Sequence, residues 1–151
     1  LYIDSIKFSI IKKIDQGQIV DTNNREGCAV ILGPSPTHLD NKQNNNVQLS
    51  LDMVDRLSAF LKINSPGKVD IWGHPRDVFF TNAIGSDENA TVINPDDRQW
   101  KYKRYIVFHT TLLMSVPSDA EMELIIFKDG GLWESAFLKY AKINKRKIYI
   151  I

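Results

Sequence analysis

The sequence predicts a mainly β domain: an antiparallel two-sheet β-sandwich of the single jelly-roll type, with one α-helix inserted over about 50–64. Three observations predict it. Short segments with strand patterning run through the 151-residue chain. Only one segment carries a clear helical period. The strand segments follow one another instead of alternating with helices, which argues against a parallel sheet.

The elements read as follows, in order. "YIDSIKFSII" puts Ile6, Phe8 and Ile10 on one face and Lys7 and Ser9 on the other, the period of a half-buried strand. "CAVIL" is a continuous apolar run and reads as a core strand. "GPSPTHLDNKQNNN" is a loop, broken by Gly33, Pro34 and Pro36. In "SLDMVDRLSAFLKIN", Leu51, Val54, Leu57 and Leu61 recur at helical spacing, with Ser50 as N-cap and Pro66 and Gly67 past the end. "KVDIW" and "DVFFTNAI" read as strands over 68–72 and 77–84. A polar loop follows, with a short strand at 91–93. "WKYKRYIVFHTTLLMSV", "EMELIIF" and the closing "KRKIYII" read as strands, whereas "LWESAFLKYAK" fits helix or strand.

The length predicts one domain over 1–151. Nineteen cations against 18 anions leave a net charge of +1, so a basic site must come from local clustering. One cysteine excludes an internal disulfide framework, and Cys28 in its apolar run reads as a buried, inert thiol. No run is apolar and long enough to cross a bilayer, and no secretory pattern opens the chain. Leu1 falls inside a strand-like segment, which leads us to expect a preceding segment in the gene product.

The local clustering is in "RQWKYKRY". As a strand it presents Lys101, Lys103 and Arg104 beside three aromatics, a pattern suited to phosphates and stacked bases. It equally suits an ordinary strand, because aromatics favour strands and lysines blunt sheet edges. A second basic cluster contains Lys145, Arg146 and Lys147, and Lys12 and Lys13 form a third pair. His38, His74 and His109 lie far apart and form no metal-ligand pair. No nucleophile elbow, P-loop or dinucleotide fingerprint is present, so the chain reads as a non-enzyme without cofactor or metal. Leu39, Trp72, Ile84 and Trp133 stand in loop-like positions and read as subunit-interface anchors.

The element order, with "KRYIVFHTTLLM", "MELIIFKDGG" and the closing "KRKIYII", resembles the single jelly-roll coat proteins of very small icosahedral viruses, of the satellite-virus type or of nanovirus-like circular single-stranded DNA viruses. The matching stretches are 100–108 and 147–151. The resemblance implies a capsid protein that assembles with itself into an icosahedral shell around single-stranded RNA or DNA. It implies a virion location, no membrane partner, and a basic N-terminal arm that these residues lack. The alternative is a non-enzymatic β-sandwich module, of a phage or a cell surface, that recognises carbohydrate or protein through its loops. A third reading, an enzyme using His74 or His109, has no motif behind it.

Overall fold

"CAVIL" is apolar at every position because both faces of its strand are covered. The structure is a computed structural model, described here for residues 25–35, 45–65, 67–128 and 132–151. Six strands form one sheet: β1 (Cys28–Leu32), β2 (Val69–Trp72), β3 (Ala90–Val92), β4 (Arg104–Phe108), β5 (Glu121–Ile126) and β6 (Lys147–Ile150). Their order is β3-β2-β1-β4-β5-β6, and every neighbouring pair is parallel. Three helices join them: α1 (Asn45–Asn64) between β1 and β2, α2 (Val78–Ile84) between β2 and β3, and α3 (Leu132–Asn144) between β5 and β6.

Alternate residues of each central strand supply two separate cores. Val30, Leu32, Ile71, Ile106, Phe108 and Ile125 face α1 and α2, where they meet Met53, Leu57, Phe60 and Phe80. Ala29, Ile31, Tyr105, Val107, Leu124 and Ile126 face the other way, towards Phe137 and Ala141 of α3. The β3–β4 connection also covers this second face, where Trp100 packs edge-on against Trp72 at 4.8 Å. Fully burying an aliphatic or aromatic side chain contributes about 2 kcal/mol. The buried stripe therefore holds α1 in place, and its first turn carries no acidic residue to help.

The single parallel sheet overturns the antiparallel jelly-roll expectation. One segment misread as strand and one left open between helix and strand account for it. Residues 77–84 form a helix, because Asp77 caps it by accepting from the Phe80 N–H at 3.0 Å, and because Phe80 and Ile84 fall one turn apart on the buried side. Residues 132–144 are also helical. Lys145, at φ 52, closes that helix in the left-handed conformation, and Arg146 N donates to Ala141 O at 2.9 Å. Strands then alternate with helices over much of the chain, and a parallel sheet follows.

The remaining corrections are smaller. The helix expected at 50–64 begins five residues earlier, at Asn45, so Ser50 lies inside it and is fully buried instead of capping it. Its buried face is set by Met53, Leu57, Phe60 and Leu61, leaving Leu51 at the surface. The strand read through 100–116 is strand only over β4, with a 3-10 helix at Thr111–Ser115. The expected strand containing Ile6, Phe8 and Ile10 lies outside the described residues.

Candidate ligand site at the carboxyl edge of the sheet

Between β1 and β4 the strand order reverses. Connections from β1 lead one way, to β2 and β3, and those from β4 lead the other way, to β5 and β6. After β1 the next described element, α1, packs on one face of the sheet, whereas Leu113 in the turn after β4 packs on the other; in open parallel sheets a reversal of this kind marks the edge where ligands bind. Contacts on both sides fix the two strand exits.

On the β1 side the chain leaves through Gly33, whose N–H donates to Phe108 O at 2.6 Å. A Cβ on Gly33 would stand 1.7 Å from His109 O, so the two backbones touch here as only glycine permits. Two residues on, Ser35 is fully buried. Its N–H and its hydroxyl both donate to Asp77 Oδ2, at 2.7 and 2.5 Å. Asp77 is buried, and its other oxygen caps α2. One carboxylate thus ties the loop after β1 to the first turn of α2.

On the β4 side His109 adopts φ 46, a left-handed conformation that a histidine tolerates better than most residues. Its ring stacks on Phe108 at a centroid distance of 4.1 Å, and Nε2 accepts from the Phe127 N–H at 3.3 Å. A neutral imidazole that accepts at Nε2 carries its proton on Nδ1. Burial pushes the pKa of His109 down from 6.5 to about 4. The unfolded chain therefore takes up this proton first. The contribution of the neutral ring to stability is complete above pH 6.5 and is lost as pH falls towards 4. The loss amounts to about 3 kcal/mol. Urea unfolding at pH 7, 5 and 4 checks this: His109→Asn, which also tolerates φ > 0, is expected to flatten that part of the pH dependence, and a slope equal to wild type would remove the role from His109.

At the carboxyl end of β2, Gly73 leaves no space for a side chain, because Thr81 atoms would lie 2.2 Å from its Cβ. Arg98 arrives from the β3–β4 connection and donates through Nη2 to Gly73 O at 2.7 Å, with its guanidinium 6.0 Å from the Trp72 ring centroid. Val78 and Phe79 at the start of α2, and Leu112 and Met114 in the Thr111–Ser115 turn, expose apolar side chains on elements that follow this edge. Among the described residues no group of His, Cys, Asp and Glu is arranged to hold a metal ion.

The basic residues singled out from sequence sit elsewhere. Arg104 opens β4 at the amino edge and bonds inward, through Nη1 to Asn64 O and Ser65 Oγ and through Nη2 to Glu123 at 2.5 Å. Lys147 opens β6 and reaches the other oxygen of Glu123 at 3.3 Å. Two of the three basic clusters therefore adjoin, across a shared carboxylate that offsets part of their charge. Lys101 and Lys103 are exposed just before β4, Lys145 caps α3 and is exposed, and Arg146 is half-buried. Lys12 and Lys13 lie outside the described residues.

Of the expected interface anchors, Trp72 and Ile84 are each 2% exposed and belong to the two cores. Leu39 lies outside the described residues, and Trp133 falls in the first turn of α3. Cys28 is half-buried, and desolvation outweighs the nearby Arg104 to raise its thiol to about 11, so it stays protonated at neutral pH. A cavity of about 150 Å³ lies at the opposite, amino edge, between Leu61, Val69, Ile84 and Ala90.

Asp77 and Ser35 carry no motif that a sequence reading would single out, and within "RQWKYKRY" nothing sets Arg98 apart from the other cations. The one available signal was the glycine and two prolines directly after a fully apolar strand. No protein-family model, curated protein or solved structure matches the chain.

Proposed function

We propose that this chain is a binding domain for an anionic small molecule of nucleotide size, seated in the crevice between the loops that follow β1 and β4. The observation that carries this reading is the reversal of strand order at β1 and β4 within an all-parallel sheet. In open sheets of this kind, ligands bind outside the carboxyl ends of the strands at the reversal. Helices that follow strand carboxyl ends also present their amino termini to that edge, and their dipoles favour negative charge.

The loop after β1 holds one glycine and two prolines, "GPSP", in place of a glycine-rich turn. That sequence does not match the glycine-rich fingerprint of dinucleotide-binding turns. This favours ligands simpler than a dinucleotide.

The shell-forming reading drew its support from a jelly-roll order of strands. With a parallel sheet in its place, the fold lends that reading no support.

Amide chemical-shift mapping with nucleoside monophosphates and triphosphates tests the proposal. Perturbations are expected at Leu32, Gly33 and Ser35 and at His109 to Thr111. A panel that moves nothing, or moves only residues at the amino edge such as Arg104 and Lys147, would overturn it.

A further inference from the structure

We propose that Arg98 is the residue that receives the ligand's phosphate, at the carboxyl end of β2. This inference rests on the crevice as the binding site and adds where the charged end of the ligand lies. Arg98 is half-buried, and its Nε–H is enclosed without an acceptor among the described residues. Among the described residues its side chain makes one hydrogen bond, the donation from Nη2 to Gly73 O. No carboxylate pairs with it among the described residues. Asp96 and Asp97, which precede it in a 3-10 turn, are exposed.

The other arginines with described side-chain contacts to acids show the contrast. Arg25 is paired with Asp119, Arg56 with Asp52 and Arg104 with Glu123. Desolvation lowers the pKa of Arg98, with nothing resolved against it. A partly desolvated guanidinium with no counter-charge lacks its complement, and a phosphate meeting Nη1, which bonds nothing among the described residues, supplies both the charge and the acceptors.

The position fits the proposed ligand. Adjacent strands lie about 4.8 Å apart, so the end of β2 is roughly 7 Å from the middle of the β1–β4 crevice. A nucleoside monophosphate with its base or sugar in the crevice can place its phosphate over β2. The Trp72 ring lies on one side of the guanidinium, with its centroid 6.0 Å from Cζ, at the outer limit of a cation–π contact.

The test is calorimetric titration of the full chain with nucleosides and their 5′-monophosphates, for wild type, Arg98→Gln and Arg98→Lys. Wild type is expected to bind a monophosphate at least tenfold more tightly than its nucleoside. Arg98→Gln should erase that difference while leaving nucleoside binding intact, and Arg98→Lys should restore part of it. Equal monophosphate affinity in wild type and Arg98→Gln would overturn the role of Arg98 and leave the crevice standing. No binding of any panel member by wild type would overturn both.

Arg98→Gln also loses the bond to Gly73 O, so a second readout uses wild type alone. The Nε–Hε resonance of Arg98 should shift on adding the monophosphate and stay in place on adding the nucleoside. A resonance unmoved by a bound monophosphate would likewise overturn the assignment.

Discussion

Gly33→Ala is expected to destabilise the fold by more than 4 kcal/mol, placing it in the small class of severe single substitutions. The added Cβ would lie 1.7 Å from His109 O, 2.4 Å from His109 C and 3.0 Å from Phe108 O. All three are backbone atoms of the neighbouring strand's exit, so no side-chain rotation relieves the overlap. The ends of β1 and β4 must part, and the 2.6 Å bond from Gly33 N to Phe108 O goes with them. These two strands form the centre of the sheet, with both faces buried. In a domain whose total stability is about 5–15 kcal/mol, such a loss leaves the protein poorly folded or lowers its melting midpoint by about 8–16 °C. Gly67→Ala is the control, because nothing lies within 4 Å of its Cβ. A Gly33→Ala protein melting within a few degrees of that control would refute the close apposition of β1 and β4.

Much of the strand content was legible in the sequence, because strands need only local apolar patterning. The runs at 28–32, 68–72, 91–93, 121–127 and 145–151 each overlap an observed strand, with ends within a residue or two of those expected. Pairing direction was not legible in the same way, since it depends on what lies between strands. "DVFFTNAI" has β-favouring residues in its centre, yet the Asp77 cap and the Phe80–Ile84 spacing decide for helix once α2 has the sheet to pack on. One local signal did point to the parallel sheet. "CAVIL" and the "YIVF" of β4 lack the polar alternation of a one-sided strand, and buried parallel strands read that way.

The site was less legible than the fold. Arg98 belongs to the conspicuous "RQWKYKRY", but it differs from Arg104 in lacking a carboxylate partner, and that difference exists only in three dimensions. Trp72 shows the same limit from the other side. A tryptophan at a strand end looks like an anchor for a partner, whereas Trp100 and Tyr102 from a distant connection enclose it.

Asp77→Ala is expected to cost about 3–5 kcal/mol, and its effect reaches the site as well as the fold. The carboxylate accepts from Ser35 N, Ser35 Oγ and Phe80 N, all buried bonds. Hydrogen bonds to a charged group are worth about 1.5–3 kcal/mol each, and loss of an N-cap alone costs about 1 kcal/mol. The contributions do not add fully, because some of the freed donors can relax towards water. Removing the side chain also takes this acceptor from the hydroxyl of Ser35, which is fully buried. Asp77→Asn keeps one acceptor oxygen and should fall between wild type and alanine. Asp77 joins the loop after β1 to the start of α2, so the same variants should loosen the crevice wall. Amide hydrogen exchange would show this as faster exchange at Ser35 and Phe80, while β5 and β6 keep their protection. Uniform acceleration across all six strands would mean that Asp77 supports only global stability. Unchanged exchange at Ser35 would mean that the carboxylate does not clamp the loop at all.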